Sequence, residues 1–274
     1  RLLYLIGRGM REAEHIACVS RDVLERARDH YNVPEERMSV VHNGVGAHFR
    51  PMSAEARAPV LARYGISGRY VFAAARFEKR KNLLRLFEAF ARYRAEVDPE
   101  CRLALAGDMT WEAEAVGAKI AALGLEGAIL RLGYVAHHDL PALYGGAEFF
   151  AFPSLWEGFG IPVLEAMASG TPVLTSNVTA LPEIAGDAAV LVDPLSVESI
   201  AAATARLMTD RARRLPALVF GIALAEGVLG LYLSLNFDLP TGAAIAAVAG
   251  VGFFLAAGVV ALRRARGPLR PALS

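Results

Sequence analysis

The chain has 274 residues, a net charge of +1 and 21% charged residues, so it carries no strong field of either sign and charge gives no case for a nucleic-acid partner. Its two cysteines, Cys18 and Cys101, exclude a disulfide framework or a cysteine-based zinc site and suit a reducing compartment. Hydrophobic residues make up 54% and the mean hydropathy is +0.35, but the excess is uneven. The last sixty residues hold six charged residues (Glu226, Asp238, Arg263, Arg264, Arg266 and Arg270) and the other fifty-one lie in the first 214. A soluble-type region is therefore followed by an oily tail.

The chain starts with Arg1 rather than Met, which leads us to expect a start that is missing or processed. RLLYLIG is too short and too poorly flanked for a signal peptide. Residues 1–45 read as helix, strand, helix, strand. EHIACVS is a short apolar run, SRDVLERARDHY has a cap-like Ser20 ahead of helix formers, and RMSVVHNGV is a strand stopped by Asn-Gly. Over residues 50–210 the alternation repeats. Apolar runs fall at YVFAAA, RLALAG, AILRLG, AEFFAFPS, TPVLTS and AAVLVD. Helical patterns fall at KNLLRLFEAFARYRAE, WEAEAVGAKIAALG, HHDLPALYGG, IPVLEAMASG and SVESIAAATARLMTD. Strands apolar on both faces, alternating with helices, predict an α/β fold with a parallel sheet covered on both sides.

Two runs then change character. PALVFGIALAEGVLGLYLSL (216–235) has one acid, Glu226, and AAIAAVAGVGFFLAAGVVAL (243–262) has no charge. Each is long enough to cross roughly 30 Å of hydrocarbon. Arg211, Arg213 and Arg214 precede the first run and the four late arginines follow the second, which predicts a transmembrane hairpin with both ends in the cytoplasm. The plainer reading is a pair of buried helices in a soluble core.

The sharpest chemical signal is WEGFGIPVLEAMASGTPVLTS, in which seven residues separate Glu157 from Glu165. The loop Gly158-Phe159-Gly160 leads into a helix that opens near Pro162, and backbone N–H groups at such an entry form an anion site. Glu165 lies about one turn into that helix, where a carboxylate can accept two hydrogen bonds from a diol. That combination suits a nucleotide sugar, with phosphates on amides and hydroxyls on acids. The second signal is AAARFEKRKN, which places Arg76 at a strand end and Lys81 at the opening of the next helix. Ligands of open α/β sheets bind at the carboxyl ends of the strands, and two cations there neutralise a diphosphate leaving group. The sequence has no Asp-x-Asp, so a metal-held diphosphate has no obvious ligands.

Together these residues resemble the family-four retaining glycosyltransferases of the GT-B fold. The resemblance runs through SRDVLERARDHYNVPEERMSVVHNGV, YVFAAARFEKRKNL, RLALAGD, LGYV and LPALYGGAEFFAFPSLWEGFGIPVLEAMASGTPVLTSNVTALPEIAGDAAVLVDP, roughly residues 1–210. It implies a Rossmann-like parallel sheet, the C-terminal domain of a GT-B enzyme, that binds a nucleotide-sugar donor as substrate and uses no cofactor or metal. Arg76 and Lys81 would bind the diphosphate and stabilise its departure. Glu157 would hold hydroxyls of the transferred sugar. Gly158, Phe159 and Gly160 would offer backbone contacts, Glu165 would bind the ribose, and Tyr134 and Val135 would lie near the base. The sugar would be transferred with retention to an acceptor of unknown class.

The same residues also admit plain readings. The two glutamates read as solvated helix charges, and Arg76 and Lys81 as surface cations. Asp108 reads as a helix cap, His137 and His138 as surface residues opening a helix, and the cysteines as small buried apolar groups. His42 has nothing nearby that marks it as a base. NGVGAHF lacks the third glycine of a dinucleotide loop, which argues against NAD.

The family resemblance sorts the chain into four parts. Residues 1–45 read as the end of a first GT-B domain with its linker. Residues 46–210 form the nucleotide-sugar domain, 216–262 the hairpin, and 263–274 a basic cytoplasmic tail. The acceptor site of a GT-B enzyme lies mainly on the first domain, so a truncated chain that is inactive alone is expected, anchored to the cytoplasmic membrane with its domain in the cytoplasm. The tail segment LYLSLNFDLPTGAAIAAVAGVGFFL resembles the C-terminal end of ABC-type zinc/manganese permeases. That gives a second reading, a fusion of a permease fragment to a passenger domain with its junction near Asp210–Pro216.

Overall fold

A computed structural model of the chain describes residues 2–74, 78–107 and 113–209. The expected hairpin, the basic tail, the junction, Arg76 and Asp108 lie outside the described residues. Among the described residues, no helix is long and apolar enough to cross a membrane.

The first part runs α1 (Leu2–Glu12), β1 (Ile16–Cys18), α2 (Arg21–Tyr31) and β2 (Met38–Val40). The helix-strand-helix-strand expectation holds, and β1 and β2 pair in parallel as a small sheet of their own. Ser20 caps α2: its Oγ accepts from the Val23 N–H at 3.2 Å. Leu24 and Ala27, on the inner face of α2, pack with Cys18, Val33 and Met38.

The second part runs α3 (Ala54–Arg63), β3 (Tyr70–Ala74), α4 (Leu83–Glu96), β4 (Arg102–Ala106), α5 (Ala113–Ala122), β5 (Ile129–Gly133), α6 (Leu140–Gly146), β6 (Phe150–Phe152), α7 (Ile161–Ala168), β7 (Val173–Ser176), α8 (Leu181–Ala185), β8 (Ala189–Val192) and α9 (Val197–Thr209). All six strands from β3 to β8 are parallel, in the order β5-β4-β3-β6-β7-β8. The order reverses between β3 and β6, which opens a crevice at their carboxyl ends.

Strand pleating divides the core into two layers, because successive side chains point to opposite faces. Val71, Ala73, Leu103 and Leu105 join α4, α5 and α9 on one face. Tyr70, Phe72, Ala104 and Ala106 join the layer of α6, α7 and α8 on the other. Helix α4 shows why the pattern reads as a helix: Leu83, Leu86, Phe87, Phe90 and Tyr93 recur at three- and four-residue steps and all are buried. Truncating one of these, Phe87→Ala, is worth about 3–5 kcal/mol of stability.

Three local expectations change. Lys81 does not open α4. It ends a 3-10 turn, Lys79–Lys81, because Asn82 adopts the left-handed region (φ 60°, ψ 31°) and breaks the path into the helix. His137 and His138 also sit in a 3-10 turn, His137–Asp139, ahead of α6. Helix α3, capped by Ser53, carries Pro59 inside it, and that proline is the reason its pattern does not read as a helix from sequence.

Candidate donor site at the sheet switch point

Two loops meet in the crevice where the strand order reverses. One follows β3 and holds residues 78–82, and the other follows β6 and holds residues 153–160. The Leu155 N–H donates to the Arg80 carbonyl at 2.7 Å and ties the loops together. Asn82, itself buried, donates from Nδ2 to the carbonyls of Pro153 (3.0 Å) and Pro194 (2.6 Å). Its side chain is therefore spent on fixing loop ends and gives α4 no cap.

This scaffold brings Lys81 and Glu157 together. Lys81 Nζ donates to Glu157 Oε1 at 2.7 Å, and Arg80 Nη1 donates to Glu157 Oε2 at 2.9 Å. The side chains of Lys81 and Glu157 are only 11% and 10% exposed, so the pair is screened from solvent and both partners hold their positions. Lys81 also stands 4.7 Å from the centre of the Phe152 ring, a cation–π contact at the end of β6. Arg80 spans two acids, since its Nε also donates to Glu78 at 2.6 Å. The sequence singled out Lys81 within the run Lys79-Arg80-Lys81, but nothing in that run marked Arg80 as the second cation on Glu157.

The glycine loop is built on contacts from both parts of the chain. The Glu157 N–H donates to Thr179 Oγ1 at 3.3 Å, and the Gly158 carbonyl accepts from the Ser20 hydroxyl at 2.7 Å. A Cβ on Gly158 would come 3.4 Å from Val23 of α2, an ordinary van der Waals contact. Phe159 is buried, with its ring centre 5.9 Å from that of His42. Gly160 caps α7 in the left-handed region (φ 103°), and a Cβ there would fall 2.8 Å from Leu181 Cδ2. Pro162 then occupies the first turn of α7, as the sequence predicts.

Glu165 lies inside α7 and is buried. It accepts from the Tyr144 hydroxyl at 2.9 Å. Burial raises its pKa above the ordinary carboxylate value, while the Tyr144 bond and the nearby His137 and His48 pull it back down. Burial, then the neighbouring Glu165 charge, pushes the Tyr144 hydroxyl well up, so Tyr144 remains a proton donor to the carboxylate. Sequence reasoning missed Tyr144, although LPALYGG places it on the helix before β6. Tyr134 and Val135 follow Gly133, which turns the chain at φ 65°. Tyr134 is 86% exposed and free to meet a ligand face, whereas Val135 is buried in the core.

Glu183 joins the site from α8. Its carboxylate accepts from the Arg21 N–H (2.8 and 3.0 Å) and pairs with His42 Nε2 at 2.7 Å. Burial opposes its ionisation, yet those hydrogen bonds hold its pKa below the usual carboxylate value. Ser20 meets Gly158 and His42 meets Glu183 across more than 130 residues each, and no local spacing could have joined them. A separate cavity of about 740 Å³ is lined by His48, Arg50, Pro51, Met52, His137 and Pro141, among others. Lys81, Glu157 and Glu165 are not among its lining residues, although His48 and His137 are the two histidines that act on Glu165.

Comparison with known proteins gives the family of the chain. Residues 66–217, more than half of the chain, match the family model described as glycosyl transferases group 1, and residues 1–48 match the one described as glycosyltransferase family 4. The O-antigen chain mannosyltransferase B of Escherichia coli is 36% identical over 197 residues, covering 72% of this chain and 52% of that protein. The MMP alpha-(1->4)-mannosyltransferase of Mycolicibacterium hassiacum is 33% identical over 182 residues, covering 65% of this chain and 41% of that protein. The chain thus spans about half the length of these relatives or less. Among solved structures, HepE of Anabaena in complex with UDP and glucose superposes with a TM-score of 0.70 at 21% identity, over 79% of this chain and 59% of that one. The C-terminal domain of a group 1 glycosyl transferase from Francisella tularensis superposes with a TM-score of 0.53 at 26% identity, over 63% of this chain and 91% of that one. The permease-like reading of the tail draws no support from these matches.

Proposed function

This chain belongs to the group 1 glycosyl transferases, and we propose that its switch-point site binds a nucleotide-sugar donor and transfers the sugar, with retention of configuration, to a glycan acceptor. The observation that carries this reading is the Lys81–Glu157 pair, shielded at the strand ends on the loop that leads into α7, with Glu165 about one turn into that helix. Lys81, with Arg76, takes the diphosphate. Glu157, steered by Arg80, accepts from sugar hydroxyls. Glu165, steered by Tyr144, accepts from the ribose diol. Tyr134 lies beside the base with the buried Val135 packed behind it in the core, and the amides of the glycine loop face the sugar.

In the proposed reaction the bond from the sugar's anomeric carbon to the diphosphate oxygen breaks, and its electron pair leaves with the nucleoside diphosphate. Lys81 stabilises the charge that develops there, and that preorganised cation lowers the barrier. An acceptor hydroxyl attacks from the same face, and its proton passes to the departing phosphate oxygen. No enzyme carboxylate is needed as a nucleophile. Relatives named as mannosyltransferases support mannose as the transferred sugar and a polysaccharide as the acceptor. The length and uniform apolarity of 216–235 and 243–262, with arginines at their outer ends, support anchoring of the enzyme to the cytoplasmic membrane.

Isothermal titration of the full chain against UDP-, GDP- and ADP-sugars tests the reading, with Glu165→Ala as the control. Saturable binding of one donor, lost in the variant, is the expected result. Equal binding by both proteins overturns the assignment of the site.

A further inference from the structure

We infer that Ser20, outside the nucleotide-sugar domain, is a positioning residue for the sugar: its hydroxyl fixes the Gly158–Phe159 peptide so that the Phe159 N–H is presented to the donor. The inference rests on the donor-site reading above and adds a residue to it. A serine hydroxyl has one donor hydrogen and two acceptor lone pairs. At Ser20 an acceptor position serves the Val23 N–H, as any helix cap requires, while the hydrogen goes to the Gly158 carbonyl at 2.7 Å. Capping needs only the first of these, and an aspartate would cap α2 as well, but it has no hydrogen for a carbonyl. The second contact thus asks for something beyond a cap.

That contact has a geometric consequence. The peptide between Gly158 and Phe159 is planar and trans, so its carbonyl and N–H point in opposite directions. With the carbonyl aimed at Ser20, the Phe159 N–H faces away from α2. Among the described residues that N–H makes no hydrogen bond. Rotation of the peptide is opposed on both sides, by the buried Phe159 ring and by Gly160 held at φ 103°. The anchor itself is also fixed. Glu183 takes the Arg21 N–H with both carboxylate oxygens and His42 with one, and the His42 ring lies against Phe159. Helix α2 therefore cannot slide along the loop without breaking these bonds.

The test compares affinity for a nucleotide sugar with affinity for the bare nucleoside diphosphate, using the full chain with GDP-mannose against GDP and UDP-glucose against UDP. Ser20→Ala and Ser20→Gly remove the hydroxyl, the glycine being the mildest loss of a cap, and Ser20→Thr keeps it. Ser53→Ala removes the equivalent cap of α3, which touches no part of the loop. The expected result is that Ser20→Ala and Ser20→Gly lose about tenfold in affinity for the nucleotide sugar while diphosphate affinity holds. Ser20→Thr restores the ratio, and Ser53→Ala lowers the melting temperature without moving it. Should Ser20→Ala fail to fold, Ser20→Gly carries the comparison. An unchanged ratio in a folded Ser20 variant overturns this inference and leaves the donor site standing. Absence of nucleotide-sugar binding by the unaltered chain overturns the donor-site reading and the inference with it.

Discussion

The Lys81 ammonium and the Glu157 carboxylate meet at 2.7 Å at the carboxyl ends of β3 and β6, 76 residues apart in the chain. The pair is shielded from solvent, and Arg80 closes the other oxygen of the same carboxylate. A donor diphosphate bound here would compete with Glu157 for Lys81, leaving Arg80 to compensate the acid. Removing one partner of such a shielded pair leaves the other uncompensated, at a cost of about 3–5 kcal/mol when burial is complete. Lys81→Ala is expected to weaken nucleotide-sugar binding at least tenfold, or about 1.4 kcal/mol. Arg80→Ala should cost less, because Arg80 acts through Glu157 while Lys81 still meets the diphosphate. Titration calorimetry on both variants measures the difference, and equal losses would show that Arg80 meets the ligand directly.

Glu165 predicts a dependence on pH with a definite sign. Burial raises its folded pKa above the ordinary 4.5. Between that ordinary value and the folded one the native state holds more protons than the unfolded chain, so stability falls as pH rises through the window. The favourable contribution is fully present below the unfolded pKa and lost above the folded one. Glu165→Gln keeps an acceptor for Tyr144 and removes the charge. The variant is expected to flatten this part of the stability profile and to hold its melting temperature at neutral pH. It should still lose about tenfold in donor affinity, since an amide presents one acceptor oxygen to a diol where the carboxylate presents two. Urea melts at several pH values, paired with donor titrations, check both halves.

Gly160 is predicted to resist any side chain. Its φ of 103° lies where residues with a Cβ are strained, and that Cβ would sit 2.8 Å from Leu181 Cδ2. Gly160→Ala is expected to cost about 1–3 kcal/mol from the backbone alone, with more from displacing Leu181. Gly158→Ala meets Val23 at an ordinary 3.4 Å and should cost clearly less. Denaturant midpoints of the two variants rank them, and the reverse order would refute this account of the loop.

The alternating sheet was legible in the sequence because its central strands, β3, β4, β6 and β7, are apolar on both faces, and buried parallel strands read that way. Helix α3 was hidden by Pro59 inside it, and α8 by its brevity, five residues opening on Leu181-Pro182. Within the site, the Glu157-to-Glu165 block could be read because a loop, a helix entry and an acid one turn later are local events. Tyr144 and Arg80 are ordinary residues until the fold supplies their partners. Ser20, His42 and Glu183 converge only after the first segment docks on the loop, a contact with a sequence separation of 138 residues for Ser20 and Gly158.

Asn82 links these observations, because it follows Lys81 directly and binds the chain just after β6 and just after β8. Its Nδ2 serves the buried carbonyl sides of Pro153 and Pro194, and its backbone sits at φ 60°. Asn82→Ala removes both bonds and adds left-handed strain of about 1–2 kcal/mol. Asn82→Gly removes the bonds and relieves the strain. Each carbonyl left without a partner costs about 1–3 kcal/mol, so both variants should be destabilised, the alanine more than the glycine. The gap between their denaturant midpoints reports the strain less the extra backbone entropy that glycine loses on folding. Because Asn82 also fixes the loop that carries Lys81 against the one that carries Glu157, the glycine variant should bind the donor more weakly in proportion to its added freedom. Full donor affinity in a destabilised Asn82→Gly would show that the Lys81–Glu157 pair holds the crevice together without it.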